Sequence, residues 1–247
     1  MTEHTSPEII LYDLACIKNA CFSPVVWRIR LILNYKCIPY RTVFVEFPDI
    51  EPTMKELGLA CHDANSGSNA KYTVPVIRHI PTDICIMDSP AIAEFLEATY
   101  PTPPLPLTSE LGREIETKAR RAVAPTFGRS IVPREIHILS PRSQEYFRRT
   151  QEARLGQRLE DLCEPAKEKE IWEVMSDKIR AAGELMLTHQ ADGPFVLGAQ
   201  PSYTDFFIAG SLQSARMISE DVFQRFHSYP GFMEIYMACA PYLEKKD

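Results

Sequence analysis

The stretch IILYDLACIKNACFSPVVWRIR, residues 9–30, decides how the rest of the chain is read. Residues 9–14 form a short apolar run of strand length, and a mixed loop follows through Phe22. From Pro24 the sequence is almost continuously apolar over residues 24–36, a length that suits a helix buried on most sides. Proline is preorganised for a first helical turn, and serine immediately before it is a favoured N-cap. Position N3 would be Val26, so Ser23 does not open a capping box. Two roles for Ser23 remain open at this point. Its hydroxyl caps the helix, worth ~1 kcal/mol. Alternatively, it joins the exposed N–H groups and the positive end of the helix dipole in stabilising an anion.

Working outward, residues 40–47 alternate in a strand-like way and residues 52–59 suit a short helix. Residues 61–70, CHDANSGSNA, are a polar Ser/Asn/Gly tract and read as a loop. Residues 73–77 and 84–87 are two short apolar strands with a turn at Pro81-Thr82-Asp83 between them, and residues 89–100 suit a helix. The order β-α-β-(α)-β-β-α implies a parallel pair with a crossover and then a hairpin. The run PTPPLP, residues 101–106, cannot continue a helix and marks a semi-rigid linker. Beyond it, residues 109–124, 141–163, 171–189, 203–217 and 231–243 all read as helices. The expected organisation is an α/β domain over residues 1–100, a linker over 101–107 and an all-helical domain over 108–247.

Composition narrows the function. The 247 residues are 45% hydrophobic and 24% charged, enough apolar material for a substantial core. The formal charge of -6 argues against a nucleic-acid partner, which clustered Lys and Arg would serve. Arg120-Arg121 and Arg148-Arg149 read as solvated helix faces. No run approaches the ~20 apolar residues of a membrane span, and the short polar N-terminus does not read as a secretory signal. The seven cysteines are scattered, without a CxxC pair or zinc spacing, so reduced thiols in a cytoplasm and no metal are expected. Cys21, two residues before Ser23, is a rival redox thiol.

Three further motifs bear on the site. Val74-Pro75 lies inside an apolar run, where proline cannot donate to a ladder and so marks an edge, a bulge or a special turn. If that bond is cis, Val74 can offer its backbone to a peptide-like ligand; a trans edge proline is the alternative. Asp88-Ser89-Pro90 repeats the grammar of the first helix. It is either a cap or a seat for a zwitterion, with Ser89 and the amides taking a carboxylate and Asp88 an ammonium. Ser202-Tyr203-Thr204-Asp205 is an S-x-x-D capping pattern ahead of an apolar helix.

In order and spacing these segments resemble the soluble glutathione transferase family across nearly the whole chain. The resemblance implies a thioredoxin-like, glutathione-binding first domain with the catalytic residue at Ser23. It further implies that Thr73-Val74-Pro75 reads the tripeptide backbone, that Asp88-Ser89 holds the γ-glutamyl group, and that Ser202 and Asp205 cap a central helix. SPVVWRIR, residues 23–30, looks like the S-P-x-V-W-R segment of bacterial and fungal β-etherase-type members. It also superimposes on the C-P-x-x-x-R pattern of glutaredoxin-type members, with Ser23 in the cysteine's place. A cysteine there can run thiol exchange; a serine can only donate a hydrogen bond to a thiolate. The implied activity is transfer of glutathione to a small hydrophobic, aromatic electrophile, ether cleavage included, with Phe22 and Phe127 lining the co-substrate site. The family's lysine before Val-Pro is replaced by Thr73, leaving Lys71 or His62 for the glycyl carboxylate. A cytoplasmic homodimer goes with this reading. Two rivals are a non-catalytic ligand-binding protein of the same fold and a Cys21-dependent thiol transferase.

Overall fold

The computed structural model describes residues 7–61 and 71–244. All six residues of β1 (Ile9–Leu14) are buried, as befits an interior strand covered on both faces. It lies between β2 (Tyr40–Val45) and β3 (Val76–His79) in a sheet of order β2-β1-β3-β4, where β4 is Ile84–Met87. β1 and β2 are parallel, Ile9 opposite Tyr40, while β3 is antiparallel to both β1 and β4. α1 (Pro24–Tyr35) makes the crossover, α2 (Ile50–Glu56) follows β2, and α3 (Ser89–Thr99) packs beside α1. This is a thioredoxin-like domain.

The helical domain comprises α4 (Glu110–Ser130), α5 (Val132–Glu135), α6 (Pro141–Leu155), α7 (Leu159–Leu162), α8 (Pro165–Met186), α9 (Tyr203–Ile218), α10 (Glu220–Arg225), α11 (Phe232–Ala238) and α12 (Ala240–Leu243). Prolines and one glycine account for several departures from the expected boundaries, while the helix expected over residues 171–189 runs from Pro165 to Met186 and the one expected over 231–243 divides at Cys239. β2 stops at Val45 because Pro48 cannot join a ladder, and Phe47–Asp49 form a 3-10 turn instead. β3 likewise begins only after Pro75. The helix expected over residues 141–163 breaks at Gly156, which takes the left-handed C-cap conformation at φ 66°. α4 runs on to Ser130 through Pro125, giving up one helical hydrogen bond there.

α9 is buried along most of its length and anchors the second domain. Ser202 and Asp205 form a reciprocal capping box. Asp205 Oδ2 accepts from the Ser202 N–H at 2.8 Å and the Ser202 hydroxyl at 2.6 Å, and its Oδ1 accepts from the Val196 N–H at 2.8 Å. α9 meets α1 at Gly210, where a Cβ would lie 3.1 Å from the Pro24 carbonyl oxygen and 3.2 Å from Trp27 Cβ. The missing side chain lets the two helices touch at the first turn of α1, next to Ser23.

Glu168 of α8 is a second tie. Arg134 Nη2 donates to its Oε2 at 2.8 Å, and Arg225 Nη2 lies 3.2 Å from Oε1, joining α8 to α5 and α10. Burial opposes ionisation here, but Arg134, Ser130 and Arg225 outweigh it and hold the carboxyl below the usual glutamate range. A depressed pKa contributes stability in full above the unfolded value of ~4.3, lost as pH falls through the folded value. Glu168→Gln is therefore expected to flatten the acid limb of a melting-temperature against pH curve. An acid limb identical to the wild type would exclude this role.

Candidate active site

Ser23 sits where the loop after β1 enters α1, in extended conformation (φ −69°, ψ 122°) and 3% exposed. It is the N-cap residue by position, yet its side chain makes no capping hydrogen bond. No other hydrogen bond to its hydroxyl is present among the described residues. The loop behind it is rigidly held. Trp27 Nε1 donates to the Cys21 carbonyl at 2.9 Å, and the Ile17 N–H donates to the Ile138 carbonyl at 2.9 Å. The opening amides of α1 have no intrahelical acceptor, so a hydroxyl and a positive helix end converge on one point.

Ser23 opens into a cleft of about 670 Å³ that also brings together Lys71, Thr73 and Val74. The Val74-Pro75 bond is cis. The opposite wall is α6, which contributes Tyr146, Thr150, Gln151 and Arg154. Polar contacts dock α6 over the end of β2: the Ser140 and Ser143 hydroxyls donate to Glu46, the Phe47 N–H donates to Ser143 Oγ at 3.1 Å, and Arg142 grips Asp49 with two N–H groups. Phe47 and Phe147 pack with ring centroids 5.5 Å apart. The cleft is thus built by both domains.

Asp88 and Ser89 are not among the residues lining this cleft. The helix cap falls on Asp88 (φ 82°), one residue earlier than the sequence suggests, and again no side-chain cap bond is made. The Asp88 N–H donates to the Pro75 carbonyl at 3.3 Å, tying the start of α3 to the proline loop. Ser89 is buried and its Oγ lies 3.5 Å from Arg28 Nη1. His62 and the polar tract at 62–70 lie outside the described residues.

A second cavity, of about 400 Å³ and mostly apolar, adjoins the first. Val25 and Arg154 line both. Phe127 is in its wall, edge-on to Phe226 at 5.9 Å. Phe22 is a correction: it is 2% exposed and lines neither cavity, because its ring is taken up by the core while the next residue, Ser23, faces the cleft. Sequence reasoning also missed Arg28, Arg120 and Arg154 as cavity residues. Arg120, read as part of a solvated face, keeps its side chain 54% exposed but sets its guanidinium 4.5 Å from the Phe207 ring centroid. Cys21 is 1% exposed and its thiol bonds to the Asp13 carboxylate. Among the described residues, no cluster of three or more His, Cys, Asp or Glu could hold a metal. None of the helices described is long and apolar enough to cross a membrane.

Comparison with known proteins agrees with this fold. Residues 22–99 match the glutathione S-transferase N-terminal domain, and residues 114–230 match the glutathione S-transferase C-terminal domain. The chain is 32% identical over 205 residues to a glutathione S-transferase-like protein, ustS, of Aspergillus flavus, covering 76% of this chain and 71% of that one. It is 30% identical to glutathione transferase GSTFuA3 of Phanerochaete chrysosporium, with a TM-score of 0.80 over 96% of this chain and 97% of the other. A glutathione S-transferase of Ceriporiopsis subvermispora, crystallised in complex with glutathione, is 31% identical with a TM-score of 0.81 over 97% and 99% of the two chains.

Proposed function

The chain belongs to the glutathione S-transferase family, and from that premise we propose that it transfers glutathione to a hydrophobic, aromatic electrophile, with the Ser23 hydroxyl stabilising the thiolate. The observation that carries this is Ser23 itself. It holds the capping position with an uncommitted hydroxyl and opens into a cleft of mixed polar and apolar lining that shares two wall residues with an apolar cavity. In this reading glutathione lies in the cleft, its backbone along Thr73-Val74, a carboxylate near Lys71 and its γ-glutamyl end toward Asp88-Ser89. Residues 1–100 hold the tripeptide and residues 108–247 supply most of the co-substrate wall. The same reading carries with it a cytoplasmic homodimer.

The energetics suffice without a basic side chain. An ordinary thiol has a pKa of ~8.5, and lowering it by about two units needs ~3 kcal/mol of preferential stabilisation. A hydroxyl hydrogen bond to a charged group supplies ~1.5–3 kcal/mol, and the helix N-terminus adds ~0.3–1 kcal/mol. The thiolate then forms a C–S bond at the electrophilic carbon, and the leaving group departs with the bonding pair. Halide in conjugation and aryloxide in ether cleavage are the two cases.

Burial of Cys21 weighs against the thiol-transferase reading, since disulfide exchange requires an accessible thiolate. Assays with chlorodinitrobenzene, an aryl ether of the β-aryl type and hydroxyethyl disulfide separate the alternatives. Glutathione-dependent turnover of one of the first two, retained in Cys21→Ser, is expected. Disulfide reduction alone, abolished in Cys21→Ser, would overturn the proposal. So would binding of aromatics without turnover of any electrophile.

A further inference from the structure

Arg28 is a buried cation with no counter-ion among the described residues. It is 4% exposed, and its Nη1 donates to the Tyr203 hydroxyl at 3.0 Å and lies 3.5 Å from Ser89 Oγ. Among the described residues no carboxylate pairs with it, its buried Nε has no hydrogen-bond partner, and both of its side-chain hydrogen bonds are made by Nη1. A guanidinium presents its donors in a rigid fork, and the Nε–Nη2 edge matches the two oxygens of a carboxylate. Burying a charge with that edge unused is costly, and the packing around Arg28 does not offset it. The Tyr203 and Phe207 rings lie 5.2 and 4.9 Å from its guanidinium carbon and fix its plane, but carry no negative charge.

Arg28 is also part of the apolar cavity wall, and that wall contains no Asp or Glu. Two further arginines complete it. Arg120 stacks on Phe207 and has a partial partner in Glu116 at 3.5 Å. Arg154 is exposed, bonds the Gln151 side chain at 2.6 Å and lies between this cavity and the Ser23 cleft. An apolar chamber with one buried arginine in its wall and two rim cations suits an apolar body bearing one anion. We propose that the co-substrate is an aromatic carboxylate, received on the Nε–Nη2 edge of Arg28 and drawn in by Arg120 and Arg154. This names the substrate class of the transferase reading and rests on it for the word co-substrate, but not for binding.

The test is calorimetric binding of naphthoate and of its neutral near-isostere naphthamide, with and without saturating glutathione. Wild-type protein is expected to prefer naphthoate about tenfold or more, as for a hydrogen bond to a charged group. Arg28→Met is expected to abolish that preference without weakening naphthamide. If Arg28→Met fails to fold, the double variant Arg120→Gln/Arg154→Gln carries the test: a preference cut about threefold, the scale of exposed ion pairs, supports the proposal, and an unchanged one overturns it. Equal affinities in the wild type, or no binding of either compound, also overturn it. Loss of the preference when glutathione is bound would do the same, because Arg28 would then serve a carboxylate of the tripeptide. Since no step requires turnover, a protein that prefers naphthoate yet conjugates nothing would refute the transferase reading alone.

Discussion

Replacing Ser23 by alanine is expected to lower kcat/KM for glutathione conjugation about 10- to 100-fold while leaving the fold and glutathione affinity nearly intact. The size follows from losing one hydrogen bond to a charged acceptor, ~1.5–3 kcal/mol, at ~1.4 kcal/mol per factor of ten. The selectivity follows from the structure. Were Ser23 a working cap, its loss would cost the protein ~1 kcal/mol, but its side chain makes no cap bond and α1 is held instead by burial of residues Val26 to Leu33. Thiolate stabilisation acts on the reacting atom, so the loss should fall on kcat more than on KM for glutathione. Steady-state kinetics and a thermal melt on the same preparation check both halves. Unchanged turnover, or a fall in turnover matched by a comparable loss of stability, would argue against the assignment.

Asp13→Ala should be the most damaging of the stability variants, costing about 3–5 kcal/mol, the usual penalty for removing one partner of a buried pair. Asp13 and Arg30 are both fully buried. Arg30 Nε and Nη2 donate to Asp13 Oδ2 at 3.3 and 3.2 Å, Nη2 also donates to Thr42 Oγ1 at 2.7 Å, and the Leu14 N–H donates to Asp13 Oδ1 at 2.7 Å. Burial pushes the Asp13 carboxyl up, while Arg30, the Leu14 amide and the Cys21 thiol pull it down. The pair fastens β1 to α1 directly beneath the loop that presents Ser23, so its loss removes a large part of a typical 5–15 kcal/mol stability and loosens the site. Asp13→Leu combined with Arg30→Met is expected to recover much of that loss, because well-packed apolar replacements leave no charge unpaired. Urea unfolding of the two variants checks this; a cost below ~1 kcal/mol for Asp13→Ala would show the pair to be dispensable.

Local patterns were enough to read β1 and β4 as short apolar runs, and α1, α3 and α9 as apolar helices with a proline or capping signal at the start. Boundaries moved at Pro48, Pro75, Pro125 and Gly156, where local backbone chemistry competes with the hydrophobic pattern, and also at the start of α8, which begins at Pro165 and not at residue 171. The site was legible only in part. Ser23, Lys71, Thr73 and Val74 share a cleft, but Phe22 turns inward, and no spacing rule tells which of two adjacent residues a loop will expose. Arg28 shows the limit most clearly. In the sequence it is one letter of a motif; its open edge depends on Ser89, 61 residues away, and Tyr203, 175 residues away. The Asp13–Arg30 pair, 17 residues apart, likewise joins two elements that no local window contains.

Ultraviolet titration of the thiolate in the glutathione complex tests the role of Ser23 most directly. Stabilisation by its hydroxyl predicts a bound-thiol pKa about one to two units below the ordinary ~8.5 in the wild type. In Ser23→Ala only the helix N-terminus remains, so the pKa should return to within about 0.7 unit of that ordinary value. The same depressed pKa in both proteins would contradict it.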